Sequence, residues 1–296
     1  MLLTTLAQTP MSWGGAAPRM LPEDTVRLVA AFFLALMAGG LIVSLGLIAH
    51  TRLRPVDWAA RGRALAARPW TWGDGAGVAL ALAALHLMIL LAVRGFGRGP
   101  GGIETGTLMV AQTLVFHWAI LLLVSVTLLR RRRSARDAFG WDWRRFPRHA
   151  ALGALFYLGA MPLVLFYTGV YQWTLRWMGY QPQLQDVLRL LMGDNVSALR
   201  VYFVAVGIVL APVSEELLFR GIGLPLLIRR IGVWPAVCLL SLFFSALHLH
   251  IPSLIPLFLI GAAFSLAYLY TGAIAVPIAM HVIFNAVNIG LMFLLR

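Results

Sequence analysis

Two adjacent carboxylates, Glu215 and Glu216, lie inside the apolar stretch 201–219, with Arg220 next in the chain. A charge at the centre of a membrane helix costs at least about 2.5–3.5 kcal/mol on insertion scales, and intramembrane carboxylates usually face a cavity and mark a site. They are the two of eleven acidic residues that fall within a hydrophobic run rather than at its edge or in a loop. A carboxylate in that setting can take a proton from water, pair with a cation or ligate a metal, so the chemistry is to be sought here.

Spacing separates the roles of the pair. Glu216 and Arg220 are four apart and share one helix face, with the acid on the N-terminal side, the favourable order for an ion pair. Glu215 points about 100° away around the axis. The expectation is that Arg220 holds Glu216 while Glu215 faces a cavity. Pro212 lacks an amide hydrogen and crowds the carbonyl of Ile208, which predicts a kink just before the pair.

Three further groups stand on later apolar runs. His248 is 33 residues beyond Glu215, with Arg229, Arg230 and Gly232 near the midpoint, so an antiparallel helical pair turning there brings the two to comparable depth. His250 lies about 200° from His248 on a continuous helix, and beside Pro252 it is expected at the end of the span. His281, Asn285 and Asn288 share one stripe of the last run. Three readings of that stripe stand: polar glue between helices, donors aimed at a developing oxyanion, or a histidine ligand with a hydrogen-bonding partner. His86, His117 and His149 lack such company and are read as packing or interfacial residues.

These residues need a membrane scaffold. With 60% hydrophobic and 12% charged residues and a mean hydropathy of +0.84, a 296-residue chain has too little polar surface for a soluble fold. The fold class expected is all-α, a polytopic membrane protein with about eight transmembrane helices, over roughly 26–50, 75–94, 107–129, 150–174, 200–220, 233–250, 253–271 and 275–295. The net charge of +13 is carried by arginines at the ends of these runs, which suits anionic lipid headgroups and orientation rather than nucleic acid. Arginines crowd 52–68 and 130–148, so both loops are expected on the cytoplasmic side and both termini on the other. The first 25 residues lack the basic start of a secretory signal, so the first span is read as uncleaved. Residues 175–199 read as an amphipathic interfacial segment. Cys238, the single cysteine, is expected to pack as a small residue. No linker splits the chain: residues 1–149 form an N-terminal membrane region with three spans, and 150–296 a core with five.

Glu215-Glu216-x-x-x-Arg220, Phe244-x-x-x-His248 and His281-x-x-x-Asn285, in this order on separate late spans, resemble the CPBP family of intramembrane proteases. That family includes the type II CAAX prenyl endopeptidases and bacteriocin-processing or immunity proteins. The resemblance covers about residues 150–295. It implies a functional set of Glu215, His248, His281 and Asn285, supported by Glu216 and Arg220. It also implies hydrolysis of a peptide bond in a membrane-associated, in some members prenylated, protein or peptide: Glu215 activates a water, His248 orients it or protonates the leaving amine, and His281 and Asn285 stabilise the oxyanion. A second form of the same chemistry gives Glu215, His248 and His281 to a zinc ion. All 24 basic residues are arginine and the chain is rich in Ala, Leu and Gly, a composition that hints at a GC-rich bacterial genome, so the bacterial cytoplasmic membrane is the expected location. No aspartate lies mid-span, no Gly-x-Ser-x-Gly elbow is present, and Cys238 has no positioned partner, so other protease chemistries fit worse. A non-enzymatic transporter or bacteriocin-immunity or assembly factor using the same polar cavity is the alternative, although the paired repeats common in transporters are not visible.

Overall fold

The computed structural model describes residues 22–96, 105–180 and 197–294. Among them every regular element is helical. Among the described residues seven helices are long and apolar enough to cross a bilayer, and Val233–Ala246 is a shorter apolar one of 14 residues. The protein is an all-α, multi-pass membrane protein. The interfacial segment expected within 175–199 falls largely on 181–196, and the signal-free start on 1–21; both lie outside the described residues.

In chain order the helices are α1 (Glu23–Leu53), α2 (Trp58–Ala66), α3 (Trp72–Phe96), α4 (Thr105–Arg130), α5 (Ala135–Phe139), α6 (Phe146–Trp177), α7 (197–231), α8 (Val233–Ala246), α9 (Leu254–Thr271) and α10 (Ala275–Leu294). α1 packs along α6, α6 along α9 and α10, α8 against α9, and α3 against α4. Two apolar clusters result. One gathers Trp70, Ile120, Phe139, Leu224 and Phe244; the other gathers Tyr157, Met161, Ile260, Phe264 and Met280. The acidic part of α7 touches both α4 and α10, near the boundary of these clusters.

α7 departs from a plain helix. It runs α-helical over Ser197–Ala205, π-helical over Val206–Leu210, α-helical over Ala211–Glu216, π-helical over Leu217–Gly223 and α-helical over Leu224–Ile231. Each wide segment ends two residues before a proline, Pro212 or Pro225. A proline cannot donate to the carbonyl four residues back and its ring crowds that carbonyl, so the turns ahead of it widen. The kink expected from Pro212 is thus one of two π segments bracketing the acidic pair.

The arginine-rich connections converge at one end. Arg68 donates to the carbonyls of Arg136 (3.2 Å), Asp137 (2.9 Å) and Gly272 (2.7 Å). Arg229 donates to the carbonyls of Ala66, Arg68 and Trp70. The Ile274 amide and the Tyr268 hydroxyl both reach the Phe139 carbonyl. Gly140 lets this junction close: its φ is +69°, and a Cβ there would stand 1.9 Å from the Gly272 carbonyl oxygen. The loops after α1, α4, α7 and α9 therefore share one side, as alternating spans require.

Two expectations are corrected. The apolar run at 233–250 does not stay helical to its end: α8 stops at Ala246, Leu249 has φ +49°, and a short 3-10 turn at Ile251–Ser253 follows. Pro252 supplies the reason, since it has no amide to continue a ladder. Cys238 is exposed on α8 rather than packed inside.

Candidate active site

Arg220 and Glu216 are both 0% exposed. Arg220 Nη1 donates to Glu216 Oε1 at 2.9 Å, Nη2 to the Gly261 carbonyl at 2.8 Å, and Nε faces Ser265 Oγ at 3.4 Å. Its guanidinium lies 4.7 Å from the Phe244 ring centroid, 5.3 Å from Phe264 and 5.9 Å from Phe219. The ion pair suggested by the i, i+4 spacing is therefore made, in an aromatic cage that substitutes π faces for water. Gly261 makes room: a Cβ there would be 3.0 Å from Arg220 Nη2 and 3.3 Å from a Phe244 ring carbon.

The same Glu216 oxygen takes a second partner. His281 Nδ1 lies 2.9 Å from Glu216 Oε1, and an acceptor-only carboxylate puts the hydrogen on Nδ1. His281 Nε2 then faces Glu215 Oε2 at 3.8 Å, beyond a direct hydrogen bond but within reach of one shared water. The imidazole stacks on Phe264 at 4.9 Å and 27° and meets the edge of Phe244 at 5.8 Å. Glu216 is thus more than a packing partner of Arg220, because it also orients the histidine between the two carboxylates. Glu215 differs from it in access: its side chain is 20% exposed, against 0% for Glu216.

His248 lies just past the end of α8. Its Nδ1 is 2.9 Å from the Phe244 carbonyl, which can only accept, so Nε2 is the nitrogen left free. Its ring rests on Phe244 at 4.9 Å, the ring that also touches His281. His250 sits before the 3-10 turn, 2.6 Å from Ser253 Oγ. One turn beyond His281, Asn285 Nδ2 donates to the Gly207 carbonyl at 2.7 Å, in the first π segment of α7. Asn288, exposed, donates to Phe284 of its own helix. The stripe of α10 thus divides into His281 at the acidic pair, Asn285 as a clamp on α7, and Asn288 outside.

The Glu216 contact at His281 Nδ1 leaves Nε2 as the nitrogen that could meet a metal, but among the described residues no three His, Cys, Asp or Glu side chains are grouped to hold a metal ion, so Glu215, His248 and His281 do not form the set that zinc would need.

Sequence reasoning missed His117. On α4 it is buried, with Nδ1 2.7 Å from Ser214 Oγ, the residue before Glu215. The signal was present, since a polar ring in the middle of an apolar span is itself unusual. His86, by contrast, is exposed and meets Gln112 at 3.4 Å.

No solved structure matches the chain. A curated Escherichia coli protein described as an uncharacterized 24.3 kDa protein is 36% identical over 90 residues, 29% of this chain and 41% of that protein, so the chain spans about two fifths of the relative it matches. A protein-family model described as "Type II CAAX prenyl endopeptidase Rce1-like" matches residues 197–287. That segment contains Glu215, Glu216, Arg220, His248, His281 and Asn285, so the similarity to the Rce1-like model covers the residues of the motifs and agrees with the family that they resemble.

Proposed function

We propose that the protein is an intramembrane endopeptidase that hydrolyses a peptide bond of a membrane-associated protein or peptide, with a prenylated chain end as one substrate class. The observation that carries the reading is His281 held between two carboxylates of unequal access, Nδ1 on Glu216 and Nε2 towards Glu215. Glu215 takes a proton from a water as that water's oxygen attacks the peptide carbonyl carbon. The oxyanion is met by His281 at Nε2 and by the second amide hydrogen of Asn285. The C–N bond then breaks, and the proton that Glu215 took from the water passes to the leaving nitrogen by way of His248 Nε2. Arg220 holds Glu216 in place as it orients His281, much as a buried carboxylate orients the base in a hydrolase triad.

The remaining assignments belong to the same proposal. The 150–296 core carries the chemistry, the 52–68 and 130–148 loops face the cytoplasm and anionic lipids, and the membrane is the bacterial cytoplasmic one. Labelling of single cysteines in a Cys238→Ala background tests the sidedness; reaction of the 130–148 loop from outside reverses it.

For the activity, purified protein in lipid bicelles is given a panel of prenylated and unmodified membrane peptides, with and without a chelator. Wild type is expected to cleave, and Glu215→Gln to lose about 10²-fold or more in kcat while still binding. Failure of wild type on the whole panel, or full turnover by Glu215→Gln, overturns the reading. Loss of cleavage with chelator alone would return the chemistry to a metal.

A further inference from the structure

His117 is contributed by α4, far outside residues 197–287, yet it touches the residue next to Glu215. Ser214 has one hydroxyl hydrogen, and it goes to the Ala211 carbonyl at 3.0 Å. Ser214 Oγ is therefore the acceptor from His117, and His117 carries its hydrogen on Nδ1. Ser214 is 0% exposed and His117 8%, so the bond is sheltered from competing water.

Its place in α7 gives it a task. Ser214 and Glu215 belong to the six-residue α segment Ala211–Glu216, bracketed by the two π segments. Widened turns hold register less firmly, so the short segment depends on neighbours to set where its side chains point. Asn285 fixes the N-terminal side at Gly207, and Arg220 with His281 fixes Glu216 on the C-terminal side. At Glu215 itself His281 Nε2 stands at 3.8 Å, beyond a direct hydrogen bond. His117 adds a direct hold on the neighbouring residue, with Nδ1 2.7 Å from Ser214 Oγ.

We infer that His117, through its hydrogen bond to Ser214, is a positioning residue for the Glu215 carboxylate, so that the N-terminal membrane region supplies part of the active site. The inference rests on the hydrolytic reading for its consequence in turnover, and on geometry alone for the placement of Glu215.

The test compares His117→Asn, which puts an amide hydrogen near the Nδ1 position, with His117→Gln and His117→Ala, which do not, and with Ser214→Ala from the other side of the bond. Two readouts are taken on full-length protein in bicelles: kcat and KM for peptide cleavage, and the rate at which a hydrophobic carbodiimide modifies Glu215, followed by peptide mass mapping. Gln, Ala and Ser214→Ala are expected to lower kcat on the order of 10²-fold, the scale of a misplaced reacting group, with KM within about twofold. Asn should retain most of the activity. The doubly substituted His117→Ala/Ser214→Ala protein should be no worse than either single variant, since one bond is removed in each. In the same variants, modification of Glu215 should quicken about threefold or more as the segment loosens, whereas Asn should match wild type. Should wild type cleave nothing, the hydrolytic reading fails and the carbodiimide rates still decide the placement. Asn no better than Ala, or Glu215 rates equal in all variants, overturns the inference.

Discussion

Arg220 stands in the middle of the helical bundle with three aromatic rings around it and a carboxylate at 2.9 Å, while half-buried Arg68 and exposed Arg229 stand at the loop end and grip backbone carbonyls. The residue type is the same and the surroundings decide what it needs. Taking a guanidinium fully out of water costs several kcal/mol per ion even after relaxation, which carbonyl dipoles alone do not offset, so Arg220 requires a counter-charge. At the loop end water and headgroups remain in reach, and the planar fork serves as a clamp that ties α2, α5, α7 and the α9–α10 turn together. One arginine helps to build the site, and the others hold the helices that carry it.

The largest expected effect follows from removing one half of the buried pair. Glu216→Gln leaves Arg220 without its counter-charge and should lower stability by about 3–5 kcal/mol, read as a fall in thermal unfolding in bicelles. Because Glu216 also holds His281, kcat per folded molecule should fall too, which a purely structural pair would not cause. Adding Arg220→Gln should restore a good part of the stability and none of the turnover, since the neutral pair has no orphaned charge but His281 still lacks its carboxylate. If the double variant melts no higher than the single one, the contrast between the two kinds of arginine is wrong.

A smaller effect is expected at Gly261. Alanine there would push on Arg220 Nη2 and Phe244 together, and overpacking of this kind costs about 1–3 kcal/mol. The carbonyl bond from Arg220 should lengthen while the Glu216 bond survives, so melting should fall with kcat largely kept. Equal loss of kcat and stability would mean that the cage, and not the carboxylate, orients His281.

How much of this was legible depended on range. The Glu216–Arg220 pair and the shared stripe of His281 and Asn285 could be read because helical spacing is local. The all-α, multi-span class could be read because hydropathy counts residues and needs no packing, although among the described residues seven helices reach spanning length and the eighth apolar run forms only the shorter α8. The end of α8 could not, because the apolar run continues through Leu247, Leu249 and Ile251 while the backbone turns. Pro212 signalled disturbance, but composition does not distinguish a kink from a π segment. His117 and Ser214 meet across 97 residues of chain, and nothing in either neighbourhood names the other. The double use of Glu216 Oε1 had the same cause: the spacing showed Arg220, whereas His281 arrives from α10 only through tertiary packing.

The smallest effect tests the loop end. Arg229→Lys keeps the positive charge that sets orientation but gives up the fork that reaches the carbonyls of Ala66, Arg68 and Trp70. If Arg229 is present for its charge, lysine should be neutral in melting and in cysteine labelling of the loops. If it is a clamp, labelling should be unchanged while stability drops by about 1 kcal/mol, the usual net worth of a hydrogen bond or two in partly wet surroundings. The clamp reading is the one expected here, because three carbonyls of one short connection converge on a single guanidinium and a headgroup would need none of them. Arg220→Lys provides the matching control in the interior: an ammonium can still reach Glu216 or the Gly261 carbonyl but cannot lie flat between Phe244 and Phe264, so its cost should be several times larger. Equal costs at the two positions would show that burial is not what separates them.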